Sequence, residues 1–239
     1  MGRIVIDYYF NNYYRVCVMA NLIYVIGEAG TGKSTSFRNL NHDEVFLISV
    51  EGKPLPFRGW KTKYTLCTAD NPNGNMVIND NPHKILSYLK AINERKLNIK
   101  TIIIDDFGYT FMNHYMRRAR EKGWDKFGDI ACDAFMVIDY IKGSLRDDLT
   151  VILTMHTAID SYGVSKIKTI GNMIDDKITF EGKVNYIFHS VVHEGNYLFL
   201  TNFDSSRMAR TPMGLYDQLY IENDMNVILN DIKKYDEGE

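Results

Sequence analysis

The sequence has few cysteines and prolines, which excludes several specialised classes of protein. Three cysteines and five prolines occur in 239 residues. Cys17, Cys67 and Cys132 stand singly, with no CxxC pair and no histidine at a zinc-ligand spacing. A disulfide framework and a structural zinc site are therefore excluded. The thiols are expected to be reduced and buried in the core of a cytosolic protein.

Long apolar runs are also missing. The longest near-continuous run, residues 16–26, is interrupted by Asn21 and falls short of the roughly 20 residues that a membrane helix needs. It leads directly into a glycine-rich loop, so it does not have the pattern of a cleaved signal peptide. We therefore expect a soluble, cytoplasmic protein without a membrane partner.

No charge of one sign dominates. The chain has 28 Lys and Arg residues against 30 Asp and Glu residues, for a net charge of −2. The chain therefore lacks the overall positive charge of proteins that bind duplex DNA as their main function. Any contact with nucleic acid must be made by a local group of basic residues. An apolar content of 45% is enough for one large domain with its own core.

Short apolar runs alternate with helical patterns along the chain, and nearly all positions in these runs are apolar. This indicates an α/β fold, a three-layer sandwich with a mainly parallel central sheet. A turn at Glu194-Gly195-Asn196 predicts a C-terminal antiparallel hairpin. The predicted strands are 22–26, 45–50, 61–67, 101–104, 149–155, 184–192 and 196–202; the predicted helices are 33–40, 82–96, 108–121, 127–146 and 224–235.

Three parts are expected along the chain. Residues 19–216 form the core, and residues 217–239 form a C-terminal helix followed by a disordered acidic tail. Residues 1–18 form an N-terminal extension with five aromatic side chains and little charge. Two interpretations of the extension stay open: a non-native start upstream of Met19, or a strand or hairpin at the edge of the sheet.

One segment fits the phosphate-binding pattern G-x-x-x-x-G-K-[ST] at every fixed position. It lies between a predicted strand and a predicted helix, where backbone N–H groups and the helix N-terminus attract phosphate. Lys33 is expected to reach the β- and γ-phosphates, and the Ser34 hydroxyl to bind Mg²⁺. The predicted ligands are therefore ATP and Mg²⁺, and the predicted binding residues are Gly27, Glu28, Ala29, Gly30, Thr31, Gly32, Lys33, Ser34 and Thr35.

Acidic residues follow two of the predicted strands. Asp105, at the end of a buried apolar strand, is predicted to hold the metal, and a helix N-cap is its other interpretation. Asp106 and Glu51 are the two candidates for activating the attacking water. Glu51 closes its strand at the edge where ligands bind parallel sheets.

Basic and polar residues complete the candidate site. Lys33, Glu51, Asp106 and His156 are the predicted catalytic residues; the His156 imidazole is expected to donate to the γ-phosphate. Arg207 and Arg210 are predicted to add charge at the γ-phosphate, in cis or from a neighbouring subunit.

The long segment 157–183 has a second set of candidates. It bears glycines and lysines, and its four acidic residues favour an ordinary solvated loop as the alternative. Lysines in a loop beside a nucleotide site neutralise the phosphates of single-stranded DNA in many proteins. The predicted DNA-binding residues are Lys166, Lys168, Lys177 and Lys183.

The order of these motifs resembles phage-encoded RecA-like P-loop proteins, which are often called phage nucleotide-binding or AAA-type ATP-binding proteins and are related to phage single-strand annealing recombinases. The similarity covers residues 22–216. Its motifs are GEAGTGKSTS, residues 50–57, IIIDDF, residues 126–130, LTMH and residues 206–214 with Thr211-Pro212-Met213-Gly214.

The resemblance implies a RecA-like P-loop ATPase that assembles into a ring or filament, and acts on single-stranded DNA in phage recombination or replication within the host cytoplasm. Such ATPases place a catalytic glutamate at the position of Glu51, and a γ-phosphate sensor at that of His156. Two alternatives stay open. One is a P-loop kinase whose lid uses Arg117, Arg118 and Arg120; the other is an assembly protein that ATP stabilises without hydrolysis.

Overall fold

A nine-stranded sheet runs through residues 20–169 and 179–238, which are the residues that this computed structural model describes. The predicted extension at 1–18 and Cys17 lie outside them. The strands are β1 (Asn21–Gly27), β2 (Val45–Ser49), β3 (Met76–Ile78), β4 (Thr101–Asp105), β5 (Thr150–Ile159), β6 (Ser165–Ile167), β7 (Tyr186–His193), β8 (Asn196–Leu200) and β9 (Tyr220–Glu222).

The sheet is parallel over most of its width. Its strand order is β3-β2-β4-β5-β1-β7-β8-β9, and the pairs from β3 to β7 are parallel. The β7–β8 and β8–β9 pairs are antiparallel, and β6 pairs with the end of β5. The mixed α/β class, the mainly parallel sheet and the C-terminal hairpin are therefore confirmed.

Helices cover both faces of this sheet. The α-helices are α1 (Trp60–Lys63), α2 (Pro82–Arg95), α3 (Gly108–Arg117), α4 (Asp125–Ser144) and α5 (Met225–Glu237), and 3₁₀ helices span Ser34–Asn39, His42–Glu44 and Phe180–Lys183. The Asn81 side chain caps α2 by accepting from the N–H groups of His83 and Lys84. Pro82 lies in the first turn of α2, where its missing N–H has no intrahelical partner to lose.

Alternation along the strands sorts the core into two layers. In β1, Tyr24 and Ile26 face the cluster that includes side chains of α2, α3 and α4. Ile23 and Val25 face the opposite cluster, with Phe37 of the first 3₁₀ helix and side chains of α5. Burial of each such side chain stabilises the fold by about 1.5–3 kcal/mol. These two clusters give the three-layer arrangement that the sequence predicts.

Several predicted elements differ from the structure. Residues 61–67 do not form a strand: Gly59, with φ of 77°, precedes α1, and Leu66 makes only an isolated bridge to Met76. The helix after the glycine-rich loop is a six-residue 3₁₀ helix. At the C-terminus, α5 extends to Glu237, so Asp236 is helical rather than disordered.

Two further sequence predictions concern the burial of the cysteines and the lack of a membrane helix. Cys132 is exposed and Cys67 is half-buried, so the prediction of buried thiols is wrong for Cys132. Among the described residues, each helix is either too short or too polar to cross a membrane.

Candidate functional site

The glycine-rich loop after β1 requires glycine at two of its positions. At Gly27, where φ is 150°, a Cβ atom would lie 2.6 Å from the backbone oxygen of Ser190. At Gly32, where φ is 99°, it would lie 3.0 Å from the Tyr197 ring and 3.2 Å from the Asn223 amide. Gly27 has no room for a side chain, and the positive φ of Gly32 favours glycine, so the loop keeps a backbone-lined cradle between β1 and the 3₁₀ helix.

Lys33 points back into this cradle. Its side chain is buried, and Nζ donates to the carbonyl oxygens of Gly27 at 2.9 Å and Glu28 at 2.7 Å. Burial lowers the pKa of Lys33 to about 8, and the negative charges of Asp106 and Asp105 act in the opposite direction. The ammonium is therefore still largely protonated at neutral pH, at a position where it can bind an anion.

Ser34 and Asp105 meet beside the cradle. Ser34 Oγ donates to the Asp105 carboxylate at 2.9 Å, and Thr154 Oγ1 donates to Asp105 Oδ1 at 2.7 Å. Asp105 is 7% exposed. Burial and the nearby Asp106 charge raise its pKa to about 6, against the hydrogen bonds from Thr154 and Ser34. A hydroxyl and a carboxylate side by side are the oxygen donors that Mg²⁺ prefers.

Asp106 takes a left-handed turn immediately after β4. Its φ is 63°, and its N–H donates to Thr154 Oγ1 at 2.7 Å. Lys53 Nζ lies 2.9 Å from Asp106 Oδ2, and His156 Nε2 lies 3.5 Å from Oδ1. Burial acts to raise the pKa of Asp106, but hydrogen bonds from His156 and Lys53 outweigh it and hold the pKa below its ordinary value. This carboxylate is therefore ionised and a weak proton acceptor at neutral pH.

Glu51 follows β2 at the same edge of the sheet. The register pairs Ser49 of β2 with Asp105 of β4, which brings the chain after each strand to one edge. Glu51 Oε1 accepts a hydrogen bond of 2.9 Å from Asn113 of α3, and the same amide group donates to Asp80 at 3.0 Å. The structure thus holds Glu51 through an amide group, and Asp106 through the Lys53 ammonium and the His156 ring.

His156 lies at the site but not at the end of its strand. It pairs with Gly27 in the sheet, and β5 continues to Ile159, so the prediction that this histidine ends the strand is wrong. The strand continues because its last three residues pair with β6. The His156 ring packs edge-on against Tyr109, with ring centres 5.6 Å apart.

The two candidate arginines have different surroundings. Arg207 lines a cavity of about 460 Å³ together with loop residues 28–31, and its guanidinium pairs with Asp204 at 2.6 Å. Arg210 instead donates to the carbonyl oxygens of Glu181 and Val184. The structure therefore brings Arg207 beside the loop and gives Arg210 contacts with the 3₁₀ segment near β7.

The remaining candidates of the loop have few side-chain contacts. Glu28, Ala29 and Gly30 are exposed, and Thr31 Oγ1 donates to the Glu28 carbonyl oxygen at 2.9 Å. Thr35 is partly buried. Exposure of the first half of the loop leaves its backbone accessible to a ligand.

The predicted DNA-binding lysines have different contacts among the described residues. Lys166 pairs with Asp160 at 2.7 Å, and Lys183 lies 4.7 Å above the ring of Phe135. Lys168 is exposed just after β6. Lys177 lies outside the described residues.

The three arginines of the kinase alternative lie at the end of α3 and just after it. Arg117 pairs with Asp80 at 2.7 Å, and Arg118 pairs with Asp129 at 2.8 Å. Arg120 is exposed. Two of the three guanidinium groups thus have acidic partners within the chain, as on a solvated helix surface.

Four residues with a role in the site were not predicted from the sequence. Thr154 bridges Asp105 and the turn after β4, and Lys53 pairs with Asp106. Ser190 donates to the Thr31 carbonyl oxygen, and the buried Asn223 amide donates to Ser190 at 3.4 Å. These contacts join residues distant in sequence, so local patterns do not signal them.

Two comparisons with known proteins gave no match: neither a protein-family model nor a curated protein matches the chain. Among solved structures, the chain is similar to the genome packaging NTPase B204 from Sulfolobus turreted icosahedral virus 2, in complex with ATP-gammaS. The identity is 13%, the coverage is 73% of this chain and 76% of that chain, and the TM-score is 0.38. A similarity this weak carries no argument, so the geometry of the site bears the functional conclusion.

Proposed function

We propose that this chain is a RecA-like P-loop protein that binds ATP with Mg²⁺ and hydrolyses it. The observation that carries the proposal is the hydrogen bond between Ser34 and Asp105, 2.9 Å long, beside the buried ammonium of Lys33. The loop supplies backbone N–H groups, Lys33 a positive charge, and Ser34 with Asp105 the oxygen donors for a metal. These three features lie at one edge of the sheet, and they support the proposal.

The residues present fit a bound magnesium ion. Among the described residues, His, Cys, Asp and Glu side chains form no group of three that would hold a metal alone. The ion would therefore be held by Ser34 and Asp105 together with phosphate oxygens and water, as is usual for Mg²⁺ at nucleotides. When bound, it supplies positive charge that stabilises the phosphate oxygens.

Glu51 is the proposed acceptor of the proton from the attacking water. The Asp106 carboxylate contacts Lys53 and His156, and its lowered pKa makes it a weak base. The Glu51 carboxylate instead accepts a hydrogen bond from an amide donor, Asn113. Lys33 neutralises charge on the phosphate during transfer.

Phosphate release with and without Mg²⁺ tests this proposal. We expect wild-type protein to hydrolyse ATP, and Glu51→Gln to lower kcat by about 100-fold or more while ATP still binds. Asp106→Asn should lower kcat less. Glu94→Gln on the exposed surface of α2 is the matched control. Loss of kcat in Asp106→Asn with full activity in Glu51→Gln would reverse the assignment of the base.

We also propose, from the sequence resemblance, a role in phage DNA recombination or replication. In this role the chain would act as a homo-oligomer on single-stranded DNA. The exposed Lys168 beside β6 is the structural feature that favours it. Gel-shift assays with labelled single-stranded and duplex DNA, each with and without ATP and Mg²⁺, test the DNA part. Sedimentation under the same conditions tests assembly.

A further inference from the structure

Lys53 places a second ammonium group at the proposed phosphate site. It follows Gly52, whose φ of 65° turns the chain after β2 toward β4. Lys53 Nζ lies 2.9 Å from Asp106 Oδ2 and 4.8 Å from the centre of the Tyr109 ring. The Lys53 side chain is 56% exposed, whereas that of Asp106 is 12% exposed. A largely exposed cation thus holds a nearly buried carboxylate.

Two lysines and two aspartates interact electrostatically at this edge of the sheet. Burial has the largest effect on the pKa of Lys33 and lowers it. The charge of Asp106 has the next largest effect and raises this pKa, as does the charge of Asp105, whereas the charge of Lys53 lowers it. The geometry brings the two groups to the same place: Lys33 Nζ donates to the carbonyl oxygen of Gly27, Gly27 pairs in the sheet with His156, and the His156 ring lies 3.5 Å from Asp106. A carboxylate paired with Lys33 would compete with phosphate for the same charge.

We propose that Lys53 is a positioning residue that holds Asp106 away from Lys33, so that the Lys33 ammonium stays available to the triphosphate. The inference rests on the proposed function, because it concerns the same phosphate site. His156 assists from the other oxygen of Asp106 at 3.5 Å. Removing Lys53 alone frees Asp106 to pair with Lys33; removing the Asp106 charge as well eliminates the competitor.

This relation predicts that removal of the Asp106 charge rescues the loss of Lys53. Binding of a fluorescent ATP analogue with Mg²⁺ is measured in the nucleotide-free full chain. We expect Lys53→Ala to raise Kd about tenfold, since a competing ion pair of this kind is worth roughly one factor of ten. Lys53→Ala combined with Asp106→Asn should return Kd to within about threefold of wild type, and Lys53→Arg should do the same. Lys61→Ala, on the exposed side of α1, is the control and should not change Kd.

Each result is decisive for the inference. A Kd in the double variant as weak as in Lys53→Ala would show that Lys53 contacts phosphate directly, and would overturn the positioning role. An unchanged Kd in Lys53→Ala would overturn it as well, with the proposed function intact. Wild-type protein that does not bind the analogue would overturn the proposed function itself, and the inference with it.

Discussion

Ser34 Oγ lies 2.9 Å from Oδ1 and 3.0 Å from Oδ2 of Asp105, although the two residues are 71 positions apart in the sequence. Ser34 begins the 3₁₀ helix that follows β1, whereas Asp105 ends β4, and β5 lies between β1 and β4 in the sheet. Thr154 of β5 lies in this gap and donates to the same carboxylate at 2.7 Å. The proposed metal site therefore combines β4, β5 and the 3₁₀ helix after β1, and its geometry depends on the register of these strands.

Gly27→Ala should disrupt the loop. The new Cβ would lie 2.6 Å from the Ser190 carbonyl oxygen, which is backbone and cannot rotate away. We expect a loss of about 2–4 kcal/mol in the free energy of unfolding and loss of nucleotide binding, measured by urea unfolding and by titration with ATP.

Gly143→Ala on α4 is the control for this change. A Cβ there meets nothing within 4 Å, so a helical alanine should raise stability by about 0.5–1 kcal/mol. Equal effects of the two substitutions would contradict the close packing of the loop against β7.

Thr154→Val should weaken the link between the strands. The hydroxyl donates to Asp105 and accepts from the N–H of Asp106, each at 2.7 Å, and valine has the same shape without these bonds. We expect a loss of about 1–3 kcal/mol, measured by urea unfolding, because the buried Asp106 N–H is left without a partner and Asp105 keeps only the hydrogen bonds from Ser34. Mg²⁺-dependent binding should also weaken. Thr150→Val at the start of the same strand is the control; a similar loss there would mean that the effect is not specific to the site.

Asp105 should make the nucleotide-free, metal-free protein less stable as pH rises. Burial raises its pKa from 3.8 to about 6, so the folded protein binds a proton more tightly than the unfolded chain. The stability that this group contributes is complete below pH 3.8 and is lost as pH rises through 6. At pH 7 the loss is on the order of 3 kcal/mol.

Asp105→Asn tests this pH dependence in the presence of a chelator. The variant should unfold at a higher urea concentration than wild type at pH 7, and the difference should shrink toward pH 4. It should also lose Mg²⁺-dependent nucleotide binding, because asparagine lacks the charge. A variant less stable than wild type at pH 7 would contradict the assignment of Asp105 as an acid that is costly to bury.

Arg207 and Arg210 should differ in their effects. Arg207 lines the cavity beside the loop, so Arg207→Ala should weaken ATP binding by about tenfold, as expected for one lost charge contact. Arg210 binds the carbonyl oxygens of Glu181 and Val184, so Arg210→Ala should lower Tm and leave the affinity unchanged. Calorimetric titration and thermal unfolding distinguish the two; the reverse pattern would exchange their roles.

Patterns in the sequence predicted the strands that are buried along nearly their whole length. β4 and β1 are such strands, and their continuous apolar sequences can be recognised without tertiary information. The prediction of a strand at 61–67 failed because residues 61–63 belong to α1 and residues 64–67 follow it without forming a strand, with Leu66 46% exposed. The three-residue β3 is too short to show a pattern.

The candidate site was predictable where a motif fixes the chemistry. Lys33, Ser34 and Asp105 are each marked by the loop pattern or by an acid after an apolar strand, and the structure brings them together. Thr154 and Lys53 could not be predicted, because their roles depend on which strands are neighbours. Strand order is set by long-range packing and leaves no local signal.

Calorimetric titration of ATP in the presence of Mg²⁺, with wild-type protein and Lys33→Ala side by side, tests the central claim most directly. Lys33 holds the buried positive charge of the cradle, so wild type should bind one ATP per chain and need Mg²⁺ for full affinity. Lys33→Ala should weaken binding by about 100-fold or more while keeping its fold by circular dichroism. Equal binding by the two proteins, or none by wild type, would contradict the assignment of this loop as a nucleotide site.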